Sequence, residues 1–126
     1  MAAMRTHQTE LTTATTEVPG FADLTDEIQE SLEASGIRDG QVTVFSPYAG
    51  CPLIVNERES GLLADLKTAM DRLGGAPARG RSVIGSNSVV MPAVNGELRL
   101  GTWQRLILVE LEEATVRSVV VQIVGE

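Results

Sequence analysis

Few side chains in this 126-residue chain can do chemistry, and their types and spacing narrow what that chemistry is. There is one histidine, His7, one cysteine, Cys51, and one tryptophan, Trp103. Imidazole moves protons near neutral pH and is the commonest metal ligand. A cysteine nucleophile ordinarily needs an imidazole or another cation beside it to hold its thiolate. Cys51, between Gly50 and Pro52, has no histidine near it in sequence, and His7 lies at the terminus. Neither a catalytic dyad nor a Cys/His zinc cluster can be assembled from these two, so Cys51 reads as a buried or idle thiol. The ten Lys and Arg residues are scattered, and only Arg79 and Arg81 stand close together. Guanidinium stays protonated, so these two cannot act as bases or hold a cation, but they can clamp a phosphate or carboxylate. They read either as solvated loop charges or as an anion contact. Gly85-Ser-Asn-Ser88 is a loop of the kind that offers amides to an oxyanion.

The length suits one domain spanning residues 1–126. A 43% hydrophobic fraction is that of a folded chain, and with one Trp, one Tyr and two Phe the core must be aliphatic. A net charge of −7 argues against nucleic acid as a partner, since that binding leans on clustered Lys and Arg. No apolar run approaches the roughly 18 residues a membrane span needs. The N-terminus lacks the apolar core of a secretory signal, and the single cysteine fits a reducing, cytoplasmic setting.

The elements that must position these side chains follow from pattern. Residues 5–16 are rich in threonine and alternate loosely, favouring a strand, which Pro19-Gly20 breaks. Thr25 is placed to cap a helix over residues 26–35, with Asp26 and Glu27 in its first turn, an apolar stripe of Leu24, Ile28 and Leu32, and Gly36 as its stop. Strands are expected over 42–45 and 53–55. A second helix opens at Glu59 or Ser60 and runs through Leu62, Leu63, Leu66, Ala69, Met70 and Leu73. Residues 76–88 carry no period. Strands follow over 88–91, 97–100, 105–111 and 116–124, with Asn95-Gly96 the strongest hairpin signal. The sum is two helices and about seven short strands, an α+β domain with an antiparallel sheet flanked by two main helices.

Gly96-Glu-Leu-Arg-Leu-Gly-Thr-Trp-Gln104 followed by the aliphatic run Leu106 to Leu111 is too particular an order to be composition alone. Together with Gly20-Phe-Ala-Asp-Leu-Thr25, Ser35-Gly36, Gly40 to Phe45, Asn56-Glu57 ahead of Gly61-Leu-Leu-Ala-Asp-Leu66, Pro92 to Gly96, Glu110 and Arg117, it resembles the secondary thiamine-phosphate synthase family, the YjbQ-like proteins. The resemblance implies a compact antiparallel sheet flanked by helices, assembled as a homotrimer with pockets near subunit boundaries. It also implies a histidine-bearing site, and there this chain departs. The family's Pro-His-Thr-Thr-Ala loop corresponds here to Ser46-Pro-Tyr-Ala-Gly-Cys-Pro52, so Tyr48 stands in the histidine's place. A second pair of histidines would fall near Pro77 and Arg79, after a segment shorter than the family carries. The Gly-Pro-Arg turn between the last two strands is replaced by Glu113-Ala-Thr115.

Tyrosine, with a pKa near 10, replaces imidazole poorly as base or ligand. The implied reading is loss of metal binding and acid–base catalysis with anion binding retained. No cofactor or metal is expected, and the partners are the chain's own copies and a small phosphorylated or carboxylated ligand. Tyr48, Asn56, Arg79, Arg81 and Trp103 are the candidate ligand contacts and Glu57 the candidate catalytic carboxylate. Each has a second reading: Glu57 as a charge flanking the second helix, Asn56 as a turn residue, Trp103 as packing at the sheet or a subunit contact. Two rival functions stay open. One is weak thiamine-phosphate synthase activity through Glu57, Tyr48 and Arg79; the other is a structural or partner-binding protein without a ligand.

Overall fold

Leu24, Ile28 and Leu32 face one way because residues four apart share a helix face, and all three are fully buried. The structure, a computed structural model, describes residues 3–57, 59–74 and 85–126. Helix α1 (Thr25–Ser35) ends where Gly36 takes a φ of 73°, as expected of a glycine stop. Its start differs from expectation. Leu24 occupies the capping position and Thr25 is the first helical residue. The Thr25 hydroxyl is spent elsewhere: it accepts the Leu106 amide at 2.8 Å. The Asp23 carboxylate accepts the Thr25 amide instead.

Eight strands accompany two helices among the described residues. Strand β1 (Arg5–Ala14) pairs along all ten residues with the last strand, β8 (Val116–Gly125). Strand β8 pairs in turn with β3 (Gly40–Phe45), then β5 (Ser88–Val94) and the short β6 (Glu97–Leu98), in a five-stranded antiparallel sheet. Asn95 and Gly96 join β5 to β6 with φ of 54° and 80°, the backbone a two-residue hairpin requires. The return arm is shorter than its pattern suggested because the chain leaves the sheet after Leu98. A second, three-stranded sheet holds β2 (Gly20–Asp23), β7 (Gln104–Glu110) and β4 (Leu53–Glu57), with β7 in the middle. Strand β2 was not legible in the sequence. Its four residues follow a Pro-Gly break and become a strand only by pairing with β7.

Strand β7 explains its own composition. A strand covered on both faces reads as a continuous apolar run instead of an alternating one. Leu106 and Leu108 belong to the large core, with α1 and the inner residues Val42, Val44, Met91, Ala93, Val119, Val121 and Ile123 of the five-stranded sheet. Val109 and Leu111 face the other way, where Phe21, Ile54 and Leu66 of helix α2 (Ser60–Gly74) pack on them. Glu59 opens α2 as expected, its carboxylate accepting the Gly61 and Leu62 amides at 2.8 Å. Those amides hold its carboxyl below the usual range. No described helix is long and apolar enough to cross a membrane.

One glycine contact tests the sheet. Gly40 and Gly125 are register partners. A Cβ on Gly40 would run into the Val124 carbonyl oxygen and lie 2.7 Å from the Gly125 Cα, both backbone. Gly40→Ala should therefore lower the denaturation free energy by about 2 kcal/mol or more, in the range typical of overpacking. Gly101→Ala, whose added Cβ meets only the Gln104 side chain, should cost well under half as much in the same urea titration. Equal costs would mean that the β3–β8 junction is looser than described.

Candidate functional site

Strand β7 carries a different arrangement at each end. At its start, Gly101-Thr-Trp-Gln104 forms a tight turn: the Gln104 amide donates to the Gly101 carbonyl and the Gln104 side-chain oxygen accepts the Gly101 amide at 2.8 Å. The turn holds Trp103 outward, 73% exposed, so it is not packed within the sheet. Glu57, the last residue of β4, is the register partner of Gln104. Glu57, Glu59, Thr102, Trp103 and Arg105 line an open pocket of about 650 Å³, the size of a small-molecule site. The Arg105 guanidinium is already occupied: Nε meets Asp23 at 2.8 Å and Nη2 meets Asp26 at 3.0 Å. Burial pushes the Asp23 carboxyl up, but Arg105 and the Thr25 hydrogen bonds hold it below its usual range.

At the far end of β7, Glu110 is fully buried. Arg117 of β8 grips it with two hydrogen bonds, Nε to Oε1 at 2.8 Å and Nη2 to Oε2 at 3.1 Å. The Thr15 hydroxyl donates to Oε1 at 2.7 Å, the Cys51 thiol to Oε2 at 3.1 Å and the Glu112 amide to Oε2 at 3.3 Å. Burial raises the Glu110 carboxyl, but the guanidinium and the other donors prevail and bring it down to about 2. Cys51 moves oppositely: burial and the adjacent Glu110 push its thiol up to about 12. A thiol so protonated is no nucleophile, which agrees with the idle reading.

Tyr48 belongs to this second cluster. The Arg117 guanidinium lies 4.7 Å from its ring centroid, a cation–π contact, and its hydroxyl accepts the Ser118 amide at 3.0 Å. Glu57 lies beside residue 104 and Tyr48 against the partner of Glu110, so six residues of β7, roughly 20 Å, separate the two. None of the described pockets is lined by both Tyr48 and Glu57. The Asn56 side chain accepts the Glu57 amide at 2.8 Å and is not among the lining residues. Arg79 and Arg81 lie outside the described residues. The 85–88 loop is no open oxyanion cradle. Its Ser86 amide donates to Leu53, its Ser88 amide to the Ser86 hydroxyl, and its Asn87 side chain to the carbonyls of Ser46 and Tyr48.

Of the site residues expected from sequence, the structure brings Glu57 and Trp103 to the wall of one pocket. Sequence reasoning missed Thr102, Glu59 and Arg105 in the pocket. It noted Glu110 and Arg117 only as points of resemblance. A signal for that pair was available: one acidic residue inside the aliphatic run 106–111, and one basic residue inside the valine-rich strand that follows.

Residues 9–126 match the family described as UPF0047 protein, YjbQ-like. A UPF0047 protein of Archaeoglobus fulgidus is 34% identical over 126 residues, taking in 90% of this chain and 98% of that protein. A YbjQ-like protein of unknown function from Sulfolobus solfataricus P2 has a solved structure that superposes with a TM-score of 0.91 at 27% identity, over 98% of this chain and all of that one. For a hypothetical protein of Aeropyrum pernix K1 the TM-score is 0.87 at 30% identity, over 95% of this chain and 99% of that one. The chain belongs to the YjbQ-like UPF0047 family, and the mixed α+β architecture of antiparallel sheets with two helices is that of its solved relatives.

Two outcomes follow from the Glu110 cluster. A carboxylate held at about 2 when folded, against roughly 4.3 when free, lends stability that is complete above the free value and is lost as pH falls towards 2. Asp23 and Glu59 act in the same direction, so the difference between proteins is the readout. Glu110→Gln should cost about 3–5 kcal/mol at pH 7 by stranding the Arg117 charge, and the gap to wild type should narrow steadily between about pH 4.5 and pH 2. Separately, native Cys51 should react with a thiol reagent at pH 8 at least about 100-fold more slowly than the urea-unfolded chain. Comparable rates would show the thiol to be accessible.

Proposed function

We propose that this chain is a homotrimeric, cytoplasmic YjbQ-like protein, a single domain that keeps the family's pocket without its imidazole chemistry and holds a small phosphorylated or carboxylated ligand. The observation that carries the reading is the pocket itself: Glu57 and the outward-held Trp103 meet at its wall, while the only histidine sits on β1 opposite Ile123. Arg79 and Arg81 are the groups suited to the ligand's anionic part, since Arg105 is engaged by two carboxylates. Without general acid–base help the family's transfer of an activated pyrimidine to a thiazole phosphate would be slowed on the order of 10²–10⁴-fold. Tyr48, tied to Arg117 and Ser118 of its own chain, is read as support for the fold and not as a ligand contact.

Assembly is supported by the outer face of the five-stranded sheet. Phe45, Val90, Val94, Val116 and Val124 are exposed there, and β3, β5 and β8 place no charged side chain on that face. A chain of net charge −7 repels its own copies. The apolar middle of that face, between Glu10 of β1 and Glu97 of β6 at its edges, is where copies meet at least electrostatic cost.

The weak-synthase reading keeps one observation in its favour, a carboxylate in the pocket at Glu57. Three measurements decide among these readings. Light scattering should give about three times the 13.4 kDa chain mass, and Val90→Asp should reduce it; a monomeric wild type would remove the assembly. Inorganic phosphate at millimolar concentration should raise the melting temperature of the wild type and not of Arg79→Ala/Arg81→Ala. No stabilisation by any anion would favour the ligand-free reading. Turnover abolished by Glu57→Gln and spared by Glu113→Gln would overturn the loss of catalysis.

A further inference from the structure

The outer face of the five-stranded sheet carries its charges at opposite margins. Glu10 of β1 stands at one margin, opposite Val120 of β8. Glu97 of β6 stands at the other, opposite Val94, and Arg99 follows two residues later. Glu10 and Arg99 are both exposed, and no described residue pairs with either side chain. By contrast, Arg5 and Arg38 donate to the carbonyls of Gly36 and Asn95, and Arg105 and Arg117 are held by carboxylates. Val94, Glu97, Arg99 and Thr102 line a depression of about 460 Å³.

The β1 margin is open in a second way. The Thr15 amide donates to the Thr115 carbonyl at 2.9 Å, continuing the β1–β8 ladder. Antiparallel pairs alternate, so the odd-numbered residues of β1 exchange their hydrogen bonds with β8. The even ones, Thr6, Gln8, Glu10, Thr12 and Ala14, turn N–H and C=O to the free edge. Edges of this length are ordinarily blunted by proline, lysine or a bulge. Strand β1 has none of these over ten residues in unbroken register. An open edge bearing an acid therefore faces away from a margin bearing an unmatched guanidinium beside a depression, and the two are complementary.

A ring of three copies is heterologous: one margin of each copy meets the other margin of the next. We infer that β1 of each copy seats in the Val94–Thr102 depression of the next, with Glu10 paired to Arg99 of that next copy. Gln8 and Thr12, two residues to either side of Glu10 on the same face, bring an amide and a hydroxyl to Glu97. The inference rests on the homotrimer reading and adds what an apolar surface lacks, a contact that fixes which way round the copies meet. Charge pairs of this kind set partner and register more than they add affinity.

The test is charge reversal in the full chain, with association followed by sedimentation equilibrium. Glu10→Lys and Arg99→Glu should each raise the concentration at which the trimer dissociates by at least about tenfold. Glu10→Lys/Arg99→Glu, in which the pair is swapped, should return to within about threefold of wild type. Long-range charge predicts the opposite for Glu10→Lys, since it makes a chain of net charge −7 less self-repelling. Glu27→Lys, exposed on α1, changes net charge equally and should not weaken association. Single reversals that associate as tightly as wild type, or a double reversal no tighter than the singles, would overturn the pairing and leave the trimer standing. A wild type that is monomeric at every concentration would overturn both together.

Discussion

The salt bridge between Glu110 and Arg117 is the contact on which the arrangement of this fold turns. Glu110 is the last residue of the central strand of the small sheet, and Arg117 lies near the start of β8, which the large sheet uses to join β1 to β3. Two charges out of water are costly unless well paired and hydrogen-bonded. Here the guanidinium binds in a fork, and Thr15, Cys51 and the Glu112 amide satisfy the carboxylate further. Such a pair adds less to net stability than its geometry suggests, since apolar residues of similar volume often serve as well. What it specifies is register. Slipping β7 or β8 by one residue would turn its charge to the opposite face and leave the partner buried alone.

That constraint divides the molecule's chemistry. The polar groups at the far end of β7 satisfy one another: Tyr48 by Ser118 and Arg117, Cys51 by Glu110, Thr15 by Thr115. At the near end the groups face outward, with an exposed indole, a carboxylate that no described side chain pairs with, and a hydroxyl around one cavity. Satisfied groups hold structure, and unsatisfied ones beside a cavity are available to a ligand. The same strand therefore serves as fastening at one end and as a wall of the candidate site at the other.

Much of this was legible in the sequence, and the parts that were not have physical causes. Helix α1 announced itself by its four-residue stripe and its glycine stop, and β5 to β6 by Asn95-Gly96, because these signals are local. The strand β2 could not be read from four residues whose only support is pairing with β7, some 85 residues later in the chain. The role of Thr25 was misread for a similar reason: its hydroxyl serves a distant strand and not its own helix. Glu57 and Trp103 were found by type and resemblance. Their meeting depends on the register of β4 against β7, which no single-residue property encodes. Tyr48 was grouped with Glu57 by analogy; the structure sets Tyr48 against Arg117 and Ser118, and Glu57 at the end of β4 beside Gln104.

The most direct test is a crystal structure grown with inorganic phosphate at millimolar concentration. The account predicts phosphate in the pocket walled by Glu57 and Trp103, with the Glu110–Arg117 fork intact and no solute beside Tyr48. Phosphate seated at Tyr48, with Arg117 drawn off Glu110 to meet it, would contradict it.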